Sequence, residues 1–375
     1  MKKIAILMLH LQHGGIEKQT ITLANNLASR YKVNIISVYS MNSAPAYPVD
    51  PQVEITYLID DAPNRDGFRQ ALRDRYIFRL IREAVKAVRI LYLKRRLMAK
   101  AIRRLDSDYV LSTRIDFAEQ LSKYAPRNVV TLTQEHLHDD SDKYVAQLKR
   151  AFRNLDYLVV LCRGAMANHS VWQRDNAKIK LVEIPNILEG VPQATAELKG
   201  NNLVAVGRLH PVKAFDHLIR VFSKVAAQLS DATLTIVGGG DEQDRLEQLV
   251  RELNLEGRVK ITGMVSKEQV EQYMLDSDLY VMTSHTECFP MVLLEASSVG
   301  LPLISFDVPV GPEAIITNDE NGYLIENRDM DAMAETIVSL LQDRDRLKRL
   351  GANAKAQSYR YLPEEIMGKW YDLFR

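Results

Sequence analysis

Residues 286–297 read TECFPMVLLEAS and follow the apolar run LYVM at residues 279–282. The run has the length and composition of a buried strand, and residues 292–299 read as a buried helix whose first turn is predicted at Phe289 to Met291. Free first-turn N–H groups carry positive dipole character that suits a phosphate, and proline is favoured near a helix start. A carboxylate at Glu295, on an otherwise apolar helix, needs a hydrogen-bonding partner such as a ribose diol.

Short apolar runs alternate with helical stretches along the whole chain, which is typical of parallel α/β domains. Strands are predicted at residues 3–9, 33–38, 109–112, 129–133, 157–161, 180–183, 202–206, 233–237, 259–262, 279–282 and 303–305. Pro185 and Pro192 interrupt the periodicity, so two Rossmann-like, doubly wound domains are predicted, residues 1–188 and 189–358. Two such domains facing each other would form an interdomain cleft at the carboxyl ends of their strands, where open α/β sheets bind ligands.

Length and composition exclude several classes of protein. The chain has 375 residues, 46% hydrophobic and 26% charged, which suits two globular cores. Cys162 and Cys288 have no partner spacing for a disulfide framework or a zinc site, which favours a reducing cytoplasm. The apolar run at residues 4–9 is too short for a signal peptide, and no stretch reaches the roughly 20 apolar residues of a membrane span, so any membrane contact is expected to be peripheral.

One segment differs sharply in charge from the rest of the chain. Residues 65–104 carry 14 Lys or Arg against three acidic residues, a balance of +11 that leaves the remainder at −10. On a helix, one face would hold the cations Arg75, Arg79, Arg82, Lys86, Arg89, Arg96, Lys100 and Arg103. The apolar face beside it would hold Phe78, Ile81, Val85, Val88, Leu91, Met98 and Ile102.

This basic amphipathic helix suits an anionic membrane surface, where each cation contributes about 1 kcal/mol. A solvated helix on the domain surface remains the alternative. Nucleic acid is not expected as a partner, because no aromatic platform or zinc-finger motif accompanies the stripe.

Glycine-containing loops follow the first strand of each half. Gly14 and Gly15 would let the backbone approach a phosphate or a sugar before a helix that begins near Glu17, although such a pair is more often a simple turn. In the second half, Arg208 and Lys213 follow a strand and could neutralise a diphosphate.

Three further motifs have structural interpretations. Gly238 to Gly240 form another strand-to-helix turn, with Asp241 as a helix cap, and a purely structural role is at least as plausible as ligand contact. The sequences Asp106-Ser107-Asp108 and Asp276-Ser277-Asp278 match a metal-binding D-x-D only superficially, since both precede predicted buried strands. We therefore predict caps there and no metal site.

Together, Gly14-Gly15, Gly207-Arg208 with Lys213, and the segment Glu287 to Glu295 resemble the motif set of glycosyltransferase family four, retaining enzymes of GT-B fold. The motifs have the family's order and spacing over essentially the whole chain. Residues 289–296 and 306–315 are similar to members that build bacterial surface glycans on lipid carriers.

The resemblance implies a metal-independent, retaining transferase. It would move a hexose or N-acetylhexosamine from a nucleotide diphosphate sugar, by family analogy a UDP-sugar, to a glycan or polyprenyl-linked acceptor. The enzyme would be cytoplasmic and peripheral at the inner face of the membrane. The first domain would bind the acceptor and the second the donor, and residues 359–375 resemble the helix that returns to the first domain in this fold.

The resemblance also implies roles for individual residues. Arg208 and Lys213 would bind the donor diphosphate, Glu287 the sugar hydroxyls and Glu295 the ribose. The full implied donor set is Gly14, Gly15, Asn186, Arg208, Lys213, Met264, Val265, Glu287, Cys288, Phe289, Pro290, Met291 and Glu295, with Met264 and Val265 at the base. The implied catalytic set is His136, Glu287, Arg208 and Lys213.

His136 is preferred to His138 because it lies nearer the end of its strand. Cys288 and Pro290 replace the family's usual small residues, a departure that bears on donor choice.

Two other functions share this pattern. A nucleotide-sugar epimerase of the same fold would bind the donor without an acceptor, and the basic stripe argues against it. A non-catalytic nucleotide-sugar-binding scaffold would be expected to lack Arg208, Lys213 or Glu287, and all three are present. An active transferase is therefore the favoured prediction.

Overall fold

The computed structural model describes residues 1–61, 72–73, 76–136, 141–166 and 178–375. The chain divides into two compact units, the first made of Met1–Val160, Met166–Ile184 and Lys369–Arg375, and the second of Leu161–Ala165 and Pro185–Gly368. Each unit contains one parallel sheet with helices packed on it.

The first unit contains a seven-stranded sheet in the order β3-β2-β1-β4-β5-β6-β7, with every pairing parallel. Its strands are β1 Lys3–Met8, β2 Lys32–Tyr39, β3 Glu54–Ile59, β4 Tyr109–Ser112, β5 Val130–Gln134, β6 Tyr157–Val160 and β7 Lys180–Glu183. Its helices are α1 Gly15–Ala28, α2 Ile77–Arg103, α3 Ile115–Tyr124 and α4 Asp142–Ala151, followed by a 3-10 turn at Phe152–Asn154.

The second unit contains a six-stranded parallel sheet in the order β10-β9-β8-β11-β12-β13. Its strands are β8 Asn202–Val206, β9 Thr233–Val237, β10 Val259–Ile261, β11 Leu279–Met282, β12 Leu303–Phe306 and β13 Gly322–Ile325. Its helices are α5 Phe215–Gln228, α6 Gln243–Glu252, α7 Lys267–Leu275, α8 Met291–Ser298, α9 Met330–Gln342 and α10 Arg344–Ser358, with 3-10 turns at Pro211–Lys213, Pro312–Ala314 and Tyr359–Tyr361.

The last helix, α11, runs from Pro363 to Leu373. Its final residues belong to the first unit, where Trp370 is fully buried and the Phe374 ring lies 5.0 Å from the Tyr109 ring. The Tyr109 hydroxyl also donates to the carbonyl of Arg375 at 2.9 Å. Apolar burial and hydrogen bonding thus anchor the chain's end to the first sheet.

The predicted two-sheet α/β fold is confirmed, and all eleven predicted strands are present, most within one residue of their predicted ends. Two further strands, β3 and β13, were missed, and both lie at a sheet edge. The central strands are continuous apolar runs because parallel sheets are covered on both faces, as β1 and β11 show by their complete burial from Ile4 and from Leu279 onward.

In both sheets the strand order reverses beside the first strand of the unit. In the first sheet the chain moves outward from β1 to β3 and then returns to β4 on the other side of β1. In the second sheet β8 and β11 have the same relation. At such a reversal the loops after the two strands diverge and leave a crevice at their carboxyl ends, where ligands of open α/β sheets bind.

Candidate active site

The loop after β8 makes a tight turn. Pro211–Lys213 form one 3-10 turn, and Ala214 then adopts a left-handed conformation with φ +47° before α5 begins. The stem of Lys213 lies over Gly207, since a Cβ added there would be 3.7 Å from two of its methylene carbons. Gly207 therefore leaves room for the lysine to lie along the loop.

Lys213 meets Glu287 at the reversal point of the second sheet. Its Nζ lies 2.6 Å from the Glu287 Oε1, with the two side chains only 25% and 11% exposed. An ion pair so shielded is weakly screened by water, and removing one partner leaves the other charge uncompensated. A diphosphate could compete with the carboxylate for Lys213, while the carboxylate could accept hydrogen bonds from sugar hydroxyls.

Backbone contacts fasten the Lys213 loop to the loop after β11. The buried Thr283 hydroxyl contacts the carbonyl oxygens of Lys213 at 3.3 Å and Ala214 at 3.0 Å. The His285 N–H donates to the Val212 carbonyl at 2.7 Å. The two loops that supply the ion pair are thus one connected structure.

The segment after Glu287 is buried and closely packed. Cys288 and Phe289 are both buried, and the Phe289 ring lies 5.8 Å from that of Tyr361. Gly311 has φ +108°, and a Cβ added to it would come within 3.1 Å of Pro290 and 3.2 Å of the Cys288 backbone. Only glycine suits both this conformation and this close approach.

The predicted start of the following helix was wrong. Helix α8 begins at Met291, and Pro290 is the preceding cap residue with extended ψ of 94°. Phe289 therefore lies outside the first turn, although it was predicted to be part of it. The first-turn N–H groups available to a phosphate are those of Met291 and Val292, since Leu293 N–H already bonds to the Pro290 carbonyl at 3.0 Å.

Arg208 is exposed on the same loop as Lys213 and forms no ion pair with any residue in the described ranges. It is therefore a solvated cation beside a shielded one. The structure brings Lys213 to Glu287, and it leaves Arg208 open to an external anion.

The three glycines after β9 have a packing role. Gly238 and Gly240 have φ of +141° and +159°, and a Cβ on them would lie 2.0 Å and 2.3 Å from the carbonyl oxygens of Gly207 and Leu209. They allow the turn to lie directly on the Arg208 loop. The predicted cap at Asp241 was wrong, because α6 begins after Glu242 and has no side-chain cap.

The other donor-set residues of the second unit are spread over it, whereas Gly14 and Gly15 lie in the first unit. Met264 is exposed and lies against Gly239, where an added Cβ would be 2.9 Å from its Cγ, and Val265 is half-buried. Asn186 is buried just after the chain enters this unit. Glu295 is half-buried on α8.

Tyr280 is the buried neighbour that sequence reasoning missed. Its hydroxyl bonds to both the N–H and the carbonyl of Val206 at 3.2 Å. Burial raises its pKa, and the carboxylates of Glu295 and Glu287 raise it further. The tyrosine therefore stays protonated and braces the end of β8 behind the ion pair.

The carboxylates of both D-x-D sequences bind other parts of the protein. Asp278 accepts the N–H groups of Gly200 and Asn202, both at 2.8 Å. In the first unit, Asp108 accepts the Lys3 N–H at 2.7 Å and Asp106 pairs with the Lys3 side chain at 2.5 Å. These aspartates tie strand starts to their neighbours.

Neither cysteine is part of a disulfide, and both are buried. The Cys162 Sγ lies 3.9 Å from the Cys288 carbonyl oxygen and 3.7 Å from Glu313 Oε1. Burial raises the Cys162 pKa to about 11, so the thiol is protonated at neutral pH and unsuited to act as a nucleophile.

A second polar cluster occupies the reversal point of the first sheet. Helix α1 begins at Gly15, two residues before the predicted start, and buries Glu17 in its first turn. The Glu17 Oε1 lies 3.7 Å from both the Arg114 Nη2 and the His10 Nδ1. Sequence reasoning missed His10, Glu17 and Arg114, although His10 and Arg114 follow β1 and β4, the two strands that flank the reversal.

His136 lies just beyond the end of β5. Its Nε2 is shielded from solvent and has no hydrogen-bond partner among the residues that the structure describes. Burial and, to a smaller extent, the positive charge of Arg114 together lower its pKa to about 4. The imidazole is therefore neutral at pH 7 and has one ring nitrogen free for a ligand, while His138 lies outside the described residues.

The predicted basic helix is present as α2, but its apolar face is divided. Met98 and Ile102 are buried, whereas Phe78 is 89% and Val88 68% exposed. Other exposed apolar residues on α2 are Ile77, Ile81, Val85, Leu91 and Tyr92. No helix in the described part of the chain is long and apolar enough to span a bilayer.

The cations of α2 mostly face solvent. Arg82, Arg89, Arg96, Lys100 and Arg103 are exposed. Lys86 is half-buried and pairs with Asp61 at 2.6 Å. Arg75 and the side chain of Arg79 lie outside the described residues.

Comparison with known proteins shows where this architecture occurs. Residues 191–357 match the glycosyl transferases group 1 family. Over 96% of its length the chain is 29% identical to an exopolysaccharide phosphotransferase of Streptomyces coelicolor, of which it spans 39%. It is 27% identical to the amylovoran biosynthesis glycosyltransferase AmsD of Erwinia amylovora, covering 100% of this chain and 99% of that one.

The fold also matches solved structures over their full length. TarM of S. aureus aligns with 17% identity and a TM-score of 0.77, covering 100% of each chain. HepE of Anabaena aligns with 18% identity and a TM-score of 0.72, covering 100% of this chain and 99% of that one. Residues 191–357 are thus a glycosyl transferases group 1 domain, and the chain that carries them is a glycosyltransferase of GT-B fold.

Proposed function

We propose that this glycosyltransferase moves a hexose or N-acetylhexosamine from a UDP-sugar to a glycan or polyprenyl-linked acceptor in bacterial surface polysaccharide synthesis. The transfer retains the anomeric configuration and needs no metal ion. The names of the exopolysaccharide and amylovoran relatives support the pathway class. The structures of TarM with UDP and of HepE with UDP-glucose support the donor class.

The observation that carries the proposal is the shielded Lys213–Glu287 pair at the reversal point of a group 1 domain. In the proposed reaction the donor diphosphate attracts Lys213, and the released carboxylate of Glu287 holds the sugar hydroxyls. Arg208 and the first turn of α8 add positive charge where the leaving phosphate becomes more negative. That phosphate accepts the proton of the incoming hydroxyl, so no second carboxylate is required.

The other donor contacts follow the family resemblance. Glu295 binds the ribose and the backbone at Met264 and Val265 meets the base. Gly14, Gly15 and His136 contact the sugar being transferred, and the free, shielded Nε2 of His136 supports this role. Residues 1–188 with 359–375 form the acceptor-binding domain, and residues 189–358 form the donor-binding domain.

The test is a donor screen on the full chain. UDP-glucose, UDP-galactose, their N-acetyl forms and GDP-sugars are compared by thermal shift and by nucleotide release, each with and without EDTA. One UDP-sugar should raise the Tm and release UDP at a rate that EDTA does not change. NMR of the transferred sugar should show the donor's anomeric configuration, and inversion would contradict the retaining mechanism.

The same screen separates the alternative functions. An epimerase would convert the donor sugar without any acceptor, and a scaffold would be stabilised by the donor without releasing nucleotide. If EDTA abolished the activity and added Mg²⁺ restored it, that result would contradict metal independence.

We also propose that α2 lies on the anionic inner face of the cell membrane. Ile81, Val85, Val88 and Tyr92 follow steps of four, three and four, so they form one exposed apolar stripe. Arg82 and Arg89 each follow a stripe member, which places the exposed cations along the stripe's flank. Apolar residues can then enter the acyl boundary while the cations meet lipid phosphates.

Vesicle flotation tests this surface. Replacing Arg82, Arg89 and Arg96 by Gln should weaken binding to phosphatidylglycerol vesicles about tenfold or more, since each cation contributes about 1 kcal/mol. The paired change Ile81→Gln with Val88→Gln should weaken it as well. Removing three exposed cations of the second unit, Arg220, Arg251 and Lys348, serves as the charge-matched control, and equal binding by all variants would exclude the membrane role.

A further inference from the structure

Arg328 has an unusual backbone conformation for its residue type. It lies three residues after β13 with φ +73°, in the left-handed region that favours glycine. Its guanidinium is half-buried and lies 5.3 Å from the centre of the Phe306 ring. A non-glycine residue is maintained in such a conformation when the surrounding contacts outweigh the strain, and strain of this kind clusters at functional sites.

Most of the polar contacts of Arg328 are with the loop after β11. Arg328 donates to the carbonyl oxygens of Thr283 at 3.0 Å and Ser284 at 3.4 Å. The same guanidinium faces the Nδ1 atoms of His285 and His217, the latter at 3.4 Å. One side chain therefore holds three consecutive residues of the loop that leads to Glu287.

Two of the three residues that Arg328 contacts also form hydrogen bonds with the Lys213 loop. The Thr283 hydroxyl contacts the carbonyls of Lys213 and Ala214, and the His285 N–H bonds to Val212 at 2.7 Å. Ala214 is itself left-handed, with φ +47°. A continuous series of hydrogen bonds thus joins Arg328 to the backbone on both sides of Lys213.

The charges around Arg328 suit a permanent cation. A guanidinium only donates, so the two imidazole nitrogens facing it must be unprotonated acceptors. Partial burial lowers the pKa of Arg328, and the carboxylate of Asp216, beside His217 on α5, opposes that shift. Asp216 also pairs with Arg245 at 2.9 Å. Partial burial, Arg328 and His217 lower the pKa of His285, which keeps it neutral.

We propose that Arg328 is a positioning residue for glycosyl transfer, fixing the Lys213–Glu287 pair through Thr283, Ser284 and His285. The proposal rests on the proposed donor role of that pair. Arg328 touches neither member of the pair, and nothing in the sequence motifs marked it. Its loss would let both loops relax while the cation and the carboxylate remain present.

The decisive variant is Arg328→Gly. Glycine suits the left-handed backbone, so the variant removes the side chain without adding strain, and the Tm should stay within a few degrees of wild type. We expect kcat to fall about 10–100-fold with a smaller change in donor KM, because misplacing reacting groups by about 1 Å can cost 10²-fold. Arg328→Lys keeps the charge without the planar fork and should recover only part of the loss.

Arg346→Ala is the matched control. Arg346 also holds a carboxylate and a tyrosine of the second unit, Asp319 and Tyr323, but it has no contact with the loops of the pair. It should leave kcat close to wild type. Wild-type kcat in Arg328→Gly would overturn the positioning role.

Amide hydrogen exchange provides a readout that does not depend on activity. In Arg328→Gly, residues 208–214 and 283–288 should exchange faster than in wild type or Arg346→Ala. Unchanged exchange there would overturn the inference even if no donor were found. Conversely, wild-type protein that transfers no sugar would refute the proposed function while the exchange result still decided whether Arg328 holds the loops.

Discussion

The two sheets share a topology but use their reversal points differently. Beside β8, the side chains of Lys213 and Glu287 meet at 2.6 Å, and the loops that carry them are joined by hydrogen bonds of 2.7–3.3 Å. Beside β1, Glu17 lies 3.7 Å from both Arg114 and His10, and His136 retains a shielded nitrogen without a partner among the described residues. The reversal point of the first sheet is thus loosely paired, whereas that of the second sheet is closed by a short ion pair.

The difference indicates a division of chemistry between the two points. A tight ion pair on a fixed loop provides preorganised charge, which is what a developing phosphate charge requires. A loosely paired cluster can exchange its internal contacts for those of a ligand, because contacts of 3.7 Å are longer than hydrogen bonds. We infer that the second point supplies electrostatic stabilisation and the first supplies adaptable polar contacts.

The largest expected effect breaks the closed pair. Lys213→Ala should lower kcat/KM about 10²–10³-fold, the cost of removing one preorganised electrostatic donor. Lys224→Ala removes an equally short lysine–aspartate contact of the same unit, 2.6 Å to Asp331, but an exposed one. It should change kcat/KM by less than twofold, and comparable losses in the two variants would refute a specific role for Lys213.

Two glycine substitutions sharpen the comparison through stability. A Cβ added at Gly238 would lie 2.0 Å from the Gly207 carbonyl oxygen, at φ +141°, so Gly238→Ala must displace backbone and should cost about 2–4 kcal/mol. A Cβ at Gly14 would also lie 2.0 Å from an oxygen, but that oxygen ends the flexible Glu17 side chain. Gly14→Ala should therefore cost about 1 kcal/mol or less.

Denaturant unfolding of both glycine variants measures the difference. Equal losses of unfolding free energy would contradict the idea that the first reversal point is adjustable and the second fixed. Gly15→Ala is the control for helix α1, since an added Cβ there meets nothing within 4 Å.

The central strands and the charged motifs could be predicted from the sequence because their signals are local. Buried parallel strands such as β1 and β11 are apolar runs, and Lys213 and Glu287 stand in recognisable loops. The missed strands are at the edges, where burial is incomplete: β3 is half-exposed along its length, and β13 has only four residues and begins with Gly322. The continuous apolar run in each is only three residues long, at 57–59 and at 323–325.

The polar residues that sequence reasoning missed can be recognised only once the fold is known. Glu17 and Arg114 are 97 positions apart, and Arg328 and His285 are 43 apart, so no spacing connects them. Their neighbours are set by strand order, which brings β4 beside β1 and β13 to the edge next to β12. A sequence pattern reports faces of single elements, whereas these clusters depend on which elements are adjacent.

A smaller effect is expected from removing the unpartnered histidine. His136→Gln should lower kcat about tenfold, the equivalent of one hydrogen bond of about 1.4 kcal/mol to the reacting sugar. Fold stability at pH 7 should change little, because the Nε2 has no partner to lose. His217→Gln changes a histidine that touches Arg328 in the second unit, and its effect should appear in loop exchange. An unaltered kcat for His136→Gln would exclude the sugar contact.

The last expected effect concerns the pH dependence of stability at the first reversal point. Burial holds the His136 pKa at about 4, below its ordinary value of 6.5. Between pH 6.5 and pH 4, therefore, His136 is protonated in the unfolded chain and neutral in the folded chain. The neutral imidazole's contribution is therefore complete above about pH 6.5 and is lost as the pH falls toward 4. Between pH 7 and 4.5 the Tm of wild type should fall more steeply than that of His136→Gln, whose amide does not titrate. Parallel Tm curves would show that His136 is protonated freely in the folded state, and the shielded nitrogen on which its sugar contact rests would then be accessible to water.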